Sequence, residues 1–363
     1  MKNYIVPLMR PSLPDKEEFK DIINELWETR MLSNFSKYAT LFEERAKEIF
    51  GSRREFRSVV SCDIGLTLML KAYNFPAGSE VLVPSFTFNS TINAVLWNNL
   101  VPVYVDIDDK SFCMDVSDAE SKVTNKTVAI LATHIFGFPA DCINLTDLAN
   151  EHRLKLFFDC AHAFGTKLVG VNVCEFGDAG VFSFSGTKLV TSAEGGLAYF
   201  KDPEIARKFS LLRQYGFERD YNTKVLGLNG KISELHAGLA WLSIKNIDKI
   251  IKRRHEIANM YRNGLKNCYF QEESHKGDVQ TYKDFAVLVA NRDYVCDELE
   301  AASIQTKKYF MPNHTMDLHR QNITLNNTEE VYSKILCLPI FNDITDDQVQ
   351  YVVATFNSFV LEW

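Results

Sequence analysis

Lys155–Leu156–Phe157–Phe158–Asp159–Cys160–Ala161–His162–Ala163–Phe164–Gly165 opens on an apolar run and ends on an acid, a histidine and small residues. A strand that is apolar at consecutive positions has both faces buried, which is the mark of a parallel sheet covered by helices. Similar short runs recur on either side of it. Strands are expected at Ser58–Ser61, Glu80–Pro84, Val101–Asp106, Val128–His134, Lys155–Asp159, Gly180–Ser183 and Leu197–Phe200. Between several of them lie segments with apolar residues at helical spacing: Asp63–Tyr73, Ser90–Asn98 and Cys142–Glu151. Strands alternating with helices predict an α/β fold with a mostly parallel central sheet.

The texture changes after Ile232. Ser233–Tyr261 reads as one long helical stretch, and its basic run Lys249–Arg254 reads as a solvated helix face. Tyr282–Ala290 and Ser333–Leu338 follow as strands, Tyr294–Ala302 as a helix, and a last helix starts near Thr345. These signals predict two domains, a large one over 1–248 and a smaller α+β one over 249–363.

Ligands of open α/β sheets sit at the carboxyl ends of strands, and three strand ends carry candidate chemistry. At the first, Asp159 follows a buried run directly. A carboxylate there is costly unless it is paired, and a cationic heterocycle would satisfy it; a helix cap is the plainer reading. At the second, Val181–Phe182–Ser183–Phe184–Ser185–Gly186–Thr187–Lys188 leads to Glu194–Gly195–Gly196. The aromatic and aliphatic flanks predict partial burial of Lys188, which lowers an amine's pKa and frees its lone pair for attack on a carbonyl. Ser183, Ser185 and Thr187 are available to donate to a phosphate. The run is not a P-loop, because Val181 stands where the first glycine belongs. At the third, Ser61–Cys62–Asp63 leads into a helix whose N-terminal amides suit a phosphate. The charge of Asp63 opposes that use.

An amine, an acid and an anion cradle are what a protein supplies to pyridoxal phosphate. The acid keeps the ring nitrogen protonated, and the amine holds the cofactor as a Schiff base and then moves a proton.

The wider pattern resembles the DegT/DnrJ-type sugar aminotransferases, which are pyridoxal-phosphate enzymes of fold type I, the aspartate-aminotransferase fold. Val83–Pro84–Ser85–Phe86–Thr87–Phe88–Asn89–Ser90–Thr91 with Val103–Asp108 is similar to the family's VPSYTFxAT…PVFVDID pattern. Phe157–Gly165, Ser183–Gly196, Arg213–Gly216 and Gly227–Leu235 resemble further family segments, as do Tyr309–Pro312 and Leu338–Pro339 near the C-terminus. The resemblance implies that Lys188 is the Schiff-base lysine and the base of the proton shift. It implies that Asp159 pairs with the ring nitrogen and that Phe88 stacks on the ring. His162 takes the place of a family glutamine near the ring hydroxyl, and Ser183 holds the phosphate with Ser61, Cys62 and Asp63. Asn229 would reach the phosphate of a neighbouring subunit, so a homodimer is expected. Read alone, Phe88 is a core aromatic, His162 a satisfied core histidine and Asn229 a turn residue. His134 either lines the pocket or satisfies a backbone group.

Four departures stand out. Cys62–Asp63 replaces the family's Gly-Thr, Lys231 an arginine, Tyr215 a histidine, and Ala193 a glycine. Lys188 is intact, which sets the chain apart from the family's dehydratase branch, where a histidine holds that position.

The implied reaction takes an amino group from glutamate, through pyridoxamine phosphate, to a nucleotide-linked keto-6-deoxy sugar, with the 4-keto form favoured. The product would serve glycan or polysaccharide synthesis, as in lipopolysaccharide O-antigen. A 3-keto sugar or an inosose is the alternative acceptor. A non-catalytic pyridoxal-phosphate-binding sensor or structural protein is the alternative of another class. Composition agrees with a globular enzyme, at 46% hydrophobic and 24% charged residues with a net charge of −7. That charge disfavours nucleic acid and anionic membranes as partners. The eight cysteines are scattered without a CxxC pair, so no metal site is expected and reduced thiols in the cytoplasm are. Met1–Pro14 lacks the apolar core of a signal peptide.

Overall fold

A computed structural model describes residues 4–218 and 221–362. The first three residues of the Met1–Pro14 segment and the last residue of the C-terminal unit lie outside the described residues. The strands are β1 (Glu55–Val59), β2 (Glu80–Pro84), β3 (Val101–Val105), β4 (Thr127–Thr133) and β5 (Lys155–Asp159). A small hairpin, β6 (Lys167–Leu168) and β7 (Val171–Asn172), precedes β8 (Ala179–Ser183) and β9 (Gly196–Phe200). The C-terminal part adds β10 (Tyr269–Phe270), β11 (Phe285–Leu288) and β12 (Ile335–Leu338).

The central sheet has the order β1-β9-β8-β5-β4-β2-β3. Strands β3, β2, β4, β5 and β8 pair in parallel, and β9 runs antiparallel between β8 and β1. Adjacent residues of one strand feed different cores. Phe157, Val181 and Ala198 pack with one apolar cluster, and Phe158, Phe182 and Leu197 with the other. Burial on both faces is why these strands read as unbroken apolar runs. The α/β class expected from the sequence is the observed one.

Of helices α1 (Lys16–Thr29), α2 (Lys37–Phe50), α3 (Cys62–Tyr73), α4 (Asn89–Trp97), α5 (Val116–Ser121), α6 (Cys142–Glu151) and α7 (Pro203–Leu212), all but α1 and α5 pack directly on strands of the sheet. Of these, α3 matters most for position. Its Gly65 lies so close to β8 that an added Cβ would come within 2.6 Å of Val181 Cγ1. The helix therefore sits against the strand that leads to Lys188.

The long stretch expected at Ser233–Tyr261 is two helices, α8 (Glu234–Ser243) and α9 (Ile247–Gly264), joined by a 3-10 turn at Ile244–Asn246. The two bury against different partners. α8 packs on α1 and α2, whereas α9 packs on the C-terminal helix. The remaining helices are α10 (Arg292–Ala301), α11 (Asn326–Lys334) and α12 (Asp346–Phe359). Ser333 and Lys334 close α11, so the strand expected from Ser333 starts at Ile335. Likewise the strand expected at Tyr282–Ala290 is confined to β11, and that expected at Ser58–Ser61 is β1, two residues of it overlapping.

β10, β11 and β12 form a second, antiparallel sheet. Its core joins Ile257 and Tyr261 of α9 with Val352 and Phe356 of α12, and Val6 from the N-terminal segment packs into the same cluster. Arg254 departs from the expected solvated face. It is buried and donates to the carbonyls of Tyr282 (3.2 Å) and Ile340 (2.7 Å). A guanidinium, with several donors in a fixed fork, is suited to holding two backbone segments at once.

One buried acid holds the N-terminal helices to this frame. Glu234 is fully buried, and its carboxylate accepts from the backbone amides of Ser36 (2.8 Å) and Tyr38 (2.6 Å) at the start of α2. Glu234→Ala orphans these donors, and a loss of about 1–3 kcal/mol in unfolding free energy is expected. Denaturant titration reads it directly; an unchanged midpoint would remove the cap from the account.

Candidate active site

The parallel strands deliver their ends to one cavity of about 280 Å³. Asp159, the last residue of β5, and Lys188, five residues beyond β8, both line it, together with Phe88, His162 and Ser183. Ser61, Cys62 and Asp63 at the start of α3 line it as well. Eight of the nine expected site residues thus share a single cavity. Asn229 does not line it; it is exposed and joined to Gln214 by an isolated backbone bridge.

Asp159 is 4% exposed. Its Oδ2 accepts from Thr91 Oγ1 (2.7 Å) and its Oδ1 from the Ala161 amide (3.0 Å). Burial pushes its carboxyl above the ordinary value, against the opposing effect of these donors and of the Lys188 charge. Thr91 is itself tied to Thr87 (3.0 Å), and Thr87 to Thr133 (3.1 Å). This buried hydroxyl chain fixes one carboxylate oxygen in place. The plainer reading of Asp159 as a helix cap fails, because its partners are a threonine and a turn amide facing a cavity.

Lys188 fronts the cavity while its ammonium is otherwise surrounded by protein. Desolvation first, and the nearby Lys283 charge second, lower its pKa to about 8. The amine is therefore readily neutral. The Gly195–Gly196 turn lets the chain reach this geometry. A Cβ on Gly196 would lie 2.8 Å from the Ser61 carbonyl carbon and 2.9 Å from the Cys62 nitrogen. Only glycine allows β9 to start against the N-terminus of α3.

That N-terminus is capped by Ser61, whose Oγ accepts from the Ile64 amide (3.2 Å). Cys62 is buried with its Sγ toward the Val181 carbonyl (3.6 Å). The exposed Asp63 carboxylate faces the same region. Across the cavity wall, His162 is buried and accepts the Phe136 amide on Nδ1 (3.1 Å), which leaves Nε2–H to donate. Burial holds this ring well below the ordinary histidine pKa, so it is neutral. Phe88 is 56% exposed and meets Phe310 edge-on at 6.2 Å, so it is a cavity wall and not a core aromatic.

His134 proves structural. It accepts the Ala140 amide on Nδ1 (2.9 Å), stacks on Phe158, and does not line the cavity. Lys231 lies over the Tyr215 ring at 4.4 Å. The eight cysteines are free thiols.

Lys283, Tyr309 and Phe310 complete the wall from the C-terminal part of the chain. Sequence reasoning gave Lys283 no role. Its signal was a Lys-Asp doublet inside an apolar run, a costly pattern unless both charges are used.

These features fit pyridoxal phosphate on structural grounds. There is an amine with a lowered pKa, a fixed acid in need of a cation, a neutral histidine donor, and a helix N-terminus with neighbouring hydroxyls. Asp63 is the one element that does not favour an anion.

Known proteins resemble this chain over nearly its whole length. Residues 14–357 match the profile of the DegT/DnrJ/EryC1/StrS aminotransferase family. The chain is 30% identical to a GDP-perosamine synthase of Escherichia coli O157:H7 over 98% of each chain. It is 28% identical to a dTDP-4-amino-4,6-dideoxy-D-glucose transaminase of Shigella dysenteriae, over 95% of this chain and 96% of that one. Its fold superposes on the crystal structure of DesI with its TDP-sugar product at a TM-score of 0.91 and 28% identity, covering 99% of this chain and 93% of that one. With the amine, the acid and the cradle in one cavity, and the match spanning nearly the whole length, this chain belongs to the DegT/DnrJ/EryC1/StrS aminotransferase family, whose cofactor is pyridoxal phosphate.

Proposed function

We propose that the chain moves an amino group from L-glutamate to a nucleotide-linked keto-6-deoxy sugar, the 4-keto form favoured, for glycan or polysaccharide synthesis. The carrying observation is the convergence of Lys188 and Asp159 on one cavity. Relatives matching at nearly full length are named for GDP-perosamine and for a dTDP-4-amino sugar, which supports the 4-keto choice. A second reading has support of its own. A UDP-N-acetyl-3-dehydro-alpha-D-glucosamine 3-aminotransferase of Acidithiobacillus ferrooxidans is 32% identical over 81% of this chain. Purified GDP- or dTDP-linked 4-keto-6-deoxyhexoses, a 3-keto isomer and inososes, each supplied with glutamate, separate the readings. Turnover confined to the 4-keto sugars is expected; turnover of the 3-keto sugar alone overturns the favoured acceptor.

Bound in this cavity, pyridoxal phosphate supplies an electron sink for the bond broken at the substrate carbon. The protein's own groups do the rest. Asp159 presents a carboxylate, held by Thr91 and Ala161, to the ring nitrogen and keeps that nitrogen protonated. His162 would donate from Nε2 to the ring hydroxyl. Phe88 would cover one face and exclude water from it. Ser183, Ser185 and the α3 N-terminus would hold the phosphate. Lys188 would take a proton from the amine-bearing carbon of the substrate and return it to the carbon that bears the cofactor's aldehyde. An amine whose pKa is lowered to about 8 can do both near neutral pH.

The Lys188 ammonium loses its proton as pH rises through about 8, against 10.5 for an ordinary lysine. Borohydride trapping of pyridoxal phosphate on the cofactor-free chain should therefore rise with a midpoint near 8. Lys188→Ala should lose the label and the visible absorbance of bound cofactor. Trapping that persists in that variant would place the reactive amine elsewhere.

The site is proposed to be shared in a homodimer, with the exposed Asn229 serving the neighbouring subunit's phosphate. Asn229→Ala should then hold cofactor less tightly during dialysis, with the dimer intact by light scattering. A fully active monomer ends this part of the reading. Among the described residues, no helix is long and apolar enough to cross a membrane.

A further inference from the structure

The cavity holds a second amine, and its setting differs from that of Lys188. Lys283 is 6% exposed, and its Nζ lies 2.9 Å from each carboxylate oxygen of the buried Asp284. An ammonium has three N–H donors. Two are met by Asp284, and among the described residues no protein acceptor takes the third. The Tyr309 ring stands 5.6 Å from Nζ, on the wall of the same cavity.

The backbone around Lys283 is fastened from both sides. Its own amide donates to the Phe136 carbonyl (3.0 Å), and Thr281 Oγ1 donates to the His162 carbonyl (2.8 Å). From the other side Arg254 donates to the Tyr282 carbonyl (3.2 Å). A buried ion pair contributes little to stability compared with apolar residues of like volume. Folding alone gives no reason to place this pair at a cavity wall. A ligand carrying negative charge does.

The two cations also have different neighbours. Lys188 and Asp159 serve the reacting centre, and α3 with its hydroxyls forms the phosphate cradle. Lys283 comes from the C-terminal part of the chain and belongs to neither group. An amino acid bound for proton removal carries a carboxylate on the very carbon that Lys188 addresses, so an anion site in the same cavity would orient that carbon.

We propose that Lys283, held in place by Asp284, binds the carboxylate of the α-amino acid that donates the amino group. The inference rests on the aminotransferase reading above. Its charge also acts on Lys188, whose ammonium it makes easier to deprotonate.

The test uses the cofactor-loaded wild type with Lys283→Gln, Lys283→Arg and the double change Lys283→Gln/Asp284→Asn. The double change replaces the pair with neutral amides and leaves no buried charge alone, so it guards against a folding defect. L-Glutamate is titrated by the loss of the cofactor's visible absorbance, and unreactive maleate by calorimetry. Both neutral variants should need about 10- to 100-fold more of either ligand, as expected for a lost charged hydrogen bond. Lys283→Arg should recover part of the loss, and dTDP binding should stay unchanged. In the cofactor-free Lys283→Gln chain, the pH midpoint for trapping at Lys188 should rise. Wild-type glutamate and maleate titrations in the double variant would overturn the proposal. So would a loss confined to dTDP, which would assign the cation to the nucleotide instead. A wild type that reacts with no amino acid would sink the aminotransferase reading itself, a different outcome from failure at Lys283.

Discussion

The structure depends on keeping two ionisable groups poorly hydrated at neighbouring points of one sheet. Asp159 ends β5, and β5 pairs directly with β8, whose chain continues to Lys188. Water would hold the acid charged and the amine protonated. Removing water pushes the acid up and the amine down, which makes both dependent on a bound partner. Groups perturbed in opposite directions within one cavity are a recurrent sign of acid–base work.

Holding that arrangement takes more of the chain than the site residues themselves. The hydroxyl chain from Thr133 through Thr87 and Thr91 sets one oxygen of Asp159. The 85–87 segment is pinned in turn from the C-terminal part: Asn313 donates to the carbonyls of Ser85 (3.0 Å) and Thr87 (2.8 Å). His314 bonds Ser85 Oγ (2.7 Å) and Glu329 (3.2 Å). Ser85, His314 and Glu329 have the order of a nucleophilic triad, but Ser85 is fully buried and does not line the Lys188 cavity. The set is a tie between distant segments. Buried polar networks of this sort rigidify what they connect when every member is satisfied.

The departures from the family pattern now have surroundings. Lys231 covers the Tyr215 ring, so these two changed positions contact each other. Cys62 turns its thiol inward to a carbonyl and leaves the α3 amides as they are. Asp63 is exposed, where solvent screens its charge.

The amino-acid sequence by itself determined the sheet, its covered faces and the chemistry at its strand ends. Those are local matters: unbroken apolar runs demand burial on both faces, and an acid or amine at the end of such a run has few ordinary reasons to be there. It also carried the motifs in order, and with them the roles proposed for Lys188 and Asp159. Other features depended on partners far along the chain. The break at Ile244–Asn246 follows from α8 and α9 packing on different helices. Arg254 looked like one more solvated cation, because the carbonyls it binds lie about 30 and 90 residues away. Lys283 was silent for the same reason: a charge inside an apolar run shows that something must satisfy it, and only the folded chain shows that the place is the wall of the Lys188 cavity.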